Sequence, residues 1–170
     1  MYDGKFRHPD PCHTCKDCHN QHTLQVKVEQ CADCHKGVTT VEDLVNIRMN
    51  GSLMDYDGDG NAKEGVSAEV AGLQEKLLTA ITTYGKEVTK ADIGYDATTY
   101  PYFFADANAN GKLDTDEKSY STWTARLLRA AYNYQVASKD PGKFAHNAKY
   151  IIQLMYDSIA DLNTKLTTPV

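Results

Sequence analysis

The chain has 170 residues, 41% hydrophobic and 24% charged, which is enough to bury the core of one domain and excludes wholesale disorder. Its net charge of −5 argues against a nucleic-acid grip, and no apolar run reaches the roughly eighteen residues of a membrane span. The opening MYDGKFRHPD lacks the apolar stretch of a secretory signal.

Residues 1–40 hold few large apolar side chains, with Tyr2, Phe6, Leu24, Val26, Val28 and Val38 nearly completing the set. So sparse a segment cannot keep a unique fold unaided, and something other than protein must supply its core. The same segment carries all five cysteines and five of the six histidines. Cys15-Lys16-Asp17-Cys18-His19 and Cys31-Ala32-Asp33-Cys34-His35 both read C-x-x-C-H, the attachment signature of c-type haem. Two thiols three positions apart can each add to a haem vinyl group, and the next residue, an imidazole, then lies under the iron as proximal ligand. Two haem c groups would also supply the missing core.

The alternative is a zinc ribbon, in which Cys15, Cys18, Cys31 and Cys34 are four thiolate ligands and the chain is a zinc- and calcium-binding interaction module without redox function. Zinc does not require a histidine directly after each pair, which favours haem. Cys12 also forms C-x-x-C with Cys15 but is followed by Lys16, so it is left as a spare thiol able to pair with another chain. Each iron needs a sixth ligand. Met49 and Met54 are the nearest methionines, whereas histidines stand beside the motifs. His8 and His22 are expected as distal ligands, with His146 a candidate that folds back from later in the chain, while His13 lacks the reach. With two histidines on each iron no position is open to substrate, and the site suits one-electron transfer. The sixteen residue steps from Cys18 to Cys34 span at most roughly 55 Å, and any compaction brings the haems much closer.

From Val41 the texture becomes that of a mainly α domain over residues 41–170. A short helix, VEDLVNIRM, is expected to end near Gly51. Val66, Val70, Leu73, Leu77, Ile81 and Tyr84 recur at steps of three and four, one face of an amphipathic helix with Ser67 placed to cap. An irregular aromatic stretch with Pro101 comes next, then a helical pattern through Trp123, Leu127, Ala131 and Tyr134. Asp140 and Pro141 are expected to open a last helix carrying Ile151, Leu154, Met155, Ile159 and Leu162 on one side. No strand is expected, since Val, Ile and Thr never alternate. Tyr132, Tyr134, Tyr150 and Tyr156 have helical spacing and are read as packing residues.

Two acidic loops interrupt this domain. Asp106, Asn108, Asn110, Gly111, Lys112, Asp114 and Glu117 match the twelve-residue EF-hand loop: oxygen side chains at positions 1, 3, 5 and 9, glycine at 6, a backbone carbonyl at 7 and glutamate at 12. The earlier loop, Asp55, Asp57, Asp59, Gly60 and Asn61, has Val66 at position 12, so either Glu64 or the more distant Glu69 must close it. One or two Ca²⁺ ions are therefore expected in a structural role, tying each loop to the helix after it.

The string GKFRHPDPCHTCKDCHNQHTLQVKVEQCADCH resembles the haem-binding segments of multihaem c-type cytochromes from anaerobic, metal-reducing bacteria. The later strings DYDGDGNAKEG, YPYFFADANANGKLD and AAYNYQVASKDPGKFAHNAKYIIQLMYDSIADL resemble a helical domain at the ends of such proteins. The resemblance implies proximal ligands His19 and His35, distal ligands His8 and His22, and extracytoplasmic electron transport as a carrier rather than an enzyme. It further implies redox partners such as other cytochromes or copies of the chain itself in an assembly. This chain departs from the family in having only two attachment sites.

Overall fold

The computed structural model describes residues 8–48 and 52–170, so Met49 and the expected end of the first helix near Gly51 lie outside the described residues. The chain is mainly α. Its helices are α1 (Cys15–Cys18), α2 (Val28–Ala32), α3 (Val66–Tyr84), α4 (Ala125–Lys139), α5 (Lys143–His146) and α6 (Ala148–Asn163), with a 3₁₀ turn at Val41–Asn46 and a π turn at Gly85–Thr89. Two compact units divide the chain, one of residues 1–72 with 142–151 and the other of residues 73–141 with 152–170. Packing thus does not divide the chain at the compositional break near residue 40.

In the second unit the helical periodicity becomes a core. Leu73, Leu77, Ile81 and Tyr84 of α3, Leu127, Ala131 and Tyr134 of α4, and Met155, Ile159 and Leu162 of α6 are all buried. Polar side chains tie the same helices. Gln74 Nε2 donates to Ser138 Oγ at 2.7 Å, Asn133 Nδ2 to Ser158 Oγ at 2.9 Å, and Arg126 and Arg129 both pair with Asp161. Tyr134 is core as its spacing predicts, but Tyr132 and Tyr156 point to solvent.

A hairpin stands where no strand is expected from the sequence. β1 (Ile93–Tyr95) pairs antiparallel with β2 (Phe103–Ala105), Gly94 opposite Phe104. Each strand is only three residues long, too short for alternation to register. Phe104 lies across Gly94, where a Cβ would sit 2.1 Å from its ring, and Tyr95, Phe103, Tyr120, Trp123 and Tyr134 join in tilted and edge-on ring contacts 4.8–6.2 Å apart.

Two helix starts also differ from expectation. Val66 opens α3 one residue before Ser67, with the Gly65 carbonyl accepting from Ala68 at 3.0 Å. Asp140 closes α4 rather than opening a helix, and the chain after Pro141 makes the single turn α5 before restarting at α6. Asn147 causes the restart: its backbone is non-helical and its side-chain oxygen accepts from the Tyr150 N–H at 3.2 Å, an N-cap the spacing of apolar residues does not reveal.

The first unit is built differently. Between residues 8 and 40 only Val38 is buried. Its turns are closed by polar side chains. Thr39 and Thr40 donate to Asp43, whose carboxyl their hydrogen bonds lower to about 2, and this capping box makes Val41–Asn46 a 3₁₀ turn. The turn stops at Ile47, which is extended and accepts from Val66 N–H at 2.9 Å.

Candidate metal centres

The first C-x-x-C-H motif lies on α1. Thr14 precedes it in extended conformation, and the Asp17 carboxylate accepts from the Thr14 N–H and hydroxyl at 2.8 Å and from the His13 N–H at 3.1 Å. The Thr14 hydroxyl and N–H hold the Asp17 carboxyl below its usual range. His19 leaves the turn with its N–H on the Cys15 carbonyl at 2.8 Å and bridges to Val26, while Lys27 N–H donates to the Cys18 carbonyl at 2.8 Å. Within that loop Leu24, in the left-handed region at φ 60°, presents its carbonyl to His19 Nδ1 at 2.8 Å. A carbonyl only accepts, so Nδ1 carries a proton, which in the neutral ring leaves the lone pair on Nε2, where it can ligate metal. The ring centre of His146, the last residue of α5, is 6.4 Å from that of His19, with planes inclined at 54°.

The second motif begins on α2, against which α1 packs. Cys34 and His35 N–H groups both donate to the Cys31 carbonyl, at 3.2 and 2.8 Å. The His8 ring stands 6.2 Å from that of His35, nearly perpendicular at 80°. Burial, and then the charge of His35 beside it, push the His8 imidazole below its ordinary value and favour the neutral form that ligates metal. Imidazoles on opposite sides of one metal, each nitrogen roughly 2 Å from it as in imidazole–zinc bonding, have ring centres about 6 Å apart. Both histidine pairs have that spacing.

The structure thus brings together His8 with His35 and His19 with His146. His22 is not brought to another described histidine; it is exposed, with its N–H on Asn20 Oδ1 at 2.9 Å. His13 faces Asp10, Nε2 to Oδ1 at 3.1 Å. Cys15 and Cys34 are exposed, and Cys12, Cys18 and Cys31 are half-buried. Burial, then Cys12 hydrogen-bonded beside it, push the Cys18 thiol up, so the extra cysteine lies next to Cys18. Among the described residues no three cysteine or histidine ligand atoms gather around one point, and the only such groups are carboxylates.

Those carboxylates belong to the first acidic loop. Asp55, Asp57 and Glu69 form one group within reach of a single ion, and Asp57, Asp59 and Glu64 a second. Asp57 is buried and Glu69 fully so. Burial, then Asp59, Glu69 and Asp55, push the Asp57 carboxyl up; desolvation, then Asp59, Asp57 and Glu69, do the same to Glu64. A cation among them would relieve this crowding. Glu69 Oε2 accepts from Tyr56 N–H at 2.7 Å and Asp57 N–H at 3.2 Å, while Oε1 meets Arg48 Nη1 at 2.6 Å. Asn61 Nδ2 reaches Glu64 Oε2 at 3.2 Å.

The second loop repeats the first. Position 1 accepts from the backbone at positions 5 and 6: Asp55 from Asp59 and Gly60 at 3.2 and 2.8 Å, Asp106 from Asn110 and Gly111 at 3.0 and 2.8 Å. Position 3 accepts from position 5, Asp57 from Asp59 and Asn108 from Asn110, both at 3.0 Å. Position 5 accepts from position 7, Asp59 from Asn61 and Asn110 from Lys112, both at 2.7 Å. Glu117 Oε1 accepts from Ala107, the position-2 N–H, at 2.8 Å, as Glu69 does from Tyr56 in the first loop. Asn108 and Asn110 amides donate to Asp114 at 2.8 and 2.9 Å and hold its carboxyl low. The two loops lead into different structure. The first runs directly into α3, whereas the second enters from β2 and returns through the Phe104–Ser119 bridge, with α4 starting only at Ala125.

Positions 4 and 6 are left-handed in both loops: Gly58 and Gly60 at φ 73° and 94°, Ala109 and Gly111 at φ 56° and 72°. Ala109 alone carries a Cβ there. Ala109→Gly is expected to raise stability by about 0.5–1 kcal/mol, the left-handed penalty less the greater unfolded-state entropy of glycine, and a denaturant midpoint measures it.

The class of protein that shares sequence with this chain is the polyheme c-type cytochrome. The particular relatives are the C-type polyheme cytochromes OmcB and OmcC of Geobacter sulfurreducens, each 35% identical over 72 residues that cover 35% of this chain. That match is partial, and the chain spans about a tenth of the length of these curated relatives. No family model matches, and no solved structure matches. Among the described residues no helix is long and apolar enough to cross a membrane.

Proposed function

We propose that this chain is a dihaem c-type cytochrome that passes electrons between extracytoplasmic redox partners, with calcium as a structural ion. Cys15 and Cys18, with His19 and His146, would hold one haem c; Cys31 and Cys34, with His35 and His8, would hold the other. The observation that carries the reading is that each C-x-x-C-H histidine has a second histidine ring 6.2 or 6.4 Å from its own, the spacing of two ligands on one metal. The donor set fits haem: the Leu24 carbonyl fixes the His19 tautomer, and His8 is held toward its neutral form. It does not fit a zinc ribbon, whose four thiolates must converge, since the cysteines here form no such group among the described residues.

Bound haem supplies a one-electron iron couple. The protein's part would be to hold each iron with two imidazoles, which would leave no place for substrate and suit a carrier rather than an enzyme. Covalent attachment holds the macrocycles to a segment too poor in apolar side chains to enclose them. Electrons enter from and leave to other cytochromes or redox proteins, including copies of this chain in an assembly. Thioether attachment and calcium loops both suit a periplasmic or cell-surface location, where millimolar calcium is available.

A pyridine haemochrome assay on the purified protein tests the reading. Two covalent haems per chain are expected, and none would end it. Ca²⁺ in the loops has its own test. Excess EGTA is expected to lower the melting temperature by several degrees while the visible haem spectrum stays as it was, and an unchanged melting curve would exclude calcium as a structural ion.

A further inference from the structure

Gly142 has no backbone reason to be glycine. Its φ of −95° and ψ of 14° suit any residue, and it serves α5 through its carbonyl, which accepts from Ala145 and His146 N–H at 2.8 Å. Its missing side chain is what matters. A Cβ there would stand 2.4 Å from Cε1, 2.6 Å from Nε2 and 2.9 Å from Nδ1 of His146, so the imidazole lies flat on the glycine. The same residue therefore holds the backbone of His146 and makes room for its ring. On the other side Asn147 ends α5 and caps α6, which confines His146 to the last position of a single turn.

From this geometry, and resting on the dihaem reading, we infer that Gly142 is a positioning residue: it seats the His146 imidazole as second ligand to the iron bound by His19. A methyl group at position 142 would drive the ring back by about 1 Å to reach an ordinary carbon–carbon contact. Metal–ligand bonds tolerate roughly 0.2 Å. The energetic cost to the fold is small, because a terminal ring can swing away, and the displacement appears instead at the metal. The His8–His35 pair is remote from this turn in sequence and serves as an internal reference.

The experiment compares the visible and low-temperature EPR spectra of the intact holoprotein with those of Gly142→Ala, Gly142→Val and His146→Ala. The parent should hold both haems low-spin. His146→Ala should turn one haem in two high-spin. Gly142→Ala should shift the spectrum of that same haem, and Gly142→Val should turn it high-spin. Free imidazole should restore the low-spin spectrum in the valine variant, while the other haem and the far-UV circular dichroism stay unchanged. If Gly142→Val keeps the parent spectrum while His146→Ala does not, Gly142 has no such role and the ligand assignment stands. If His146→Ala leaves both haems low-spin, the assignment of His146 itself is wrong. Disturbance of both haems together in Gly142→Val would mark a folding defect and overturn the inference.

Discussion

With Cys15, Cys18, Cys31 and Cys34 all changed to serine, residues 8–40 are expected to lose their order, while the second unit still melts cooperatively. The reason is the distribution of burial. The second unit has fully buried Leu77, Ile81, Leu127, Met155 and Leu162, whereas residues 8–40, the segment proposed to hold haem, bury only Val38. Polar turns such as Thr14–Asp17 are exposed and cannot hold a segment of this length against its conformational entropy, which costs about 1–2 kcal/mol per residue. The loss should be complete rather than graded. Amide hydrogen exchange reads it directly: residues 8–40 should exchange near the unprotected rate, with α3, α4 and α6 protected beyond Leu73 and Ile152. Protection retained in the haem-free segment would show that protein alone folds it.

The second large effect is expected at Arg48. Its guanidinium donates through Nη1 to Glu69 and the Glu64 carbonyl at 2.6 and 2.7 Å, through Nη2 to the Met54 carbonyl at 2.5 Å, and through Nε to the Ser52 carbonyl at 2.9 Å. Its side chain is 15% exposed and that of Glu69 not at all. Arg48→Met keeps much of the volume but leaves a buried carboxylate without its countercharge, which costs about 3–5 kcal/mol. Chemical denaturation in EGTA measures the loss. Adding Glu69→Gln to Arg48→Met should recover most of it, because the unpaired charge is then gone. A double variant as unstable as the single one would assign the cost to lost packing and to the three freed carbonyls instead.

The helices were legible because their apolar residues keep strict spacing: Leu73, Leu77, Ile81 and Tyr84 could belong to little else, and all are buried. The loops were legible because a pattern of Asp, then Asp or Asn at every second residue, then Gly fixes both the side-chain oxygens and the glycine that must turn left-handed. The hairpin was not legible, since three residues cannot show a period of two. Nor does the sequence say which of the candidates His8, His22 and His146 stands beside which motif. His22 is close to His19 in sequence, yet Asn20 holds its backbone at the surface, and the ring that approaches His19 belongs to residue 146. Proximity along the chain says little about which imidazoles meet, because that depends on where a later segment returns. The break at Asn147 hid the same fact, since the pattern through Ile151 and Leu154 reads as a helix that could begin at Pro141.

Because the segment 142–151 packs with the first seventy-two residues, the two proposed histidine pairs are completed at different moments as the chain is made. A polypeptide emerging from its amino end has both His8 and His35 available once a short length is out. On the proposed pairing, the earlier motif must wait until residue 146 has been made. On that proposal the motif nearer the amino terminus is the later of the two to close, and a chain ended before residue 146 would hold one complete histidine pair and one incomplete.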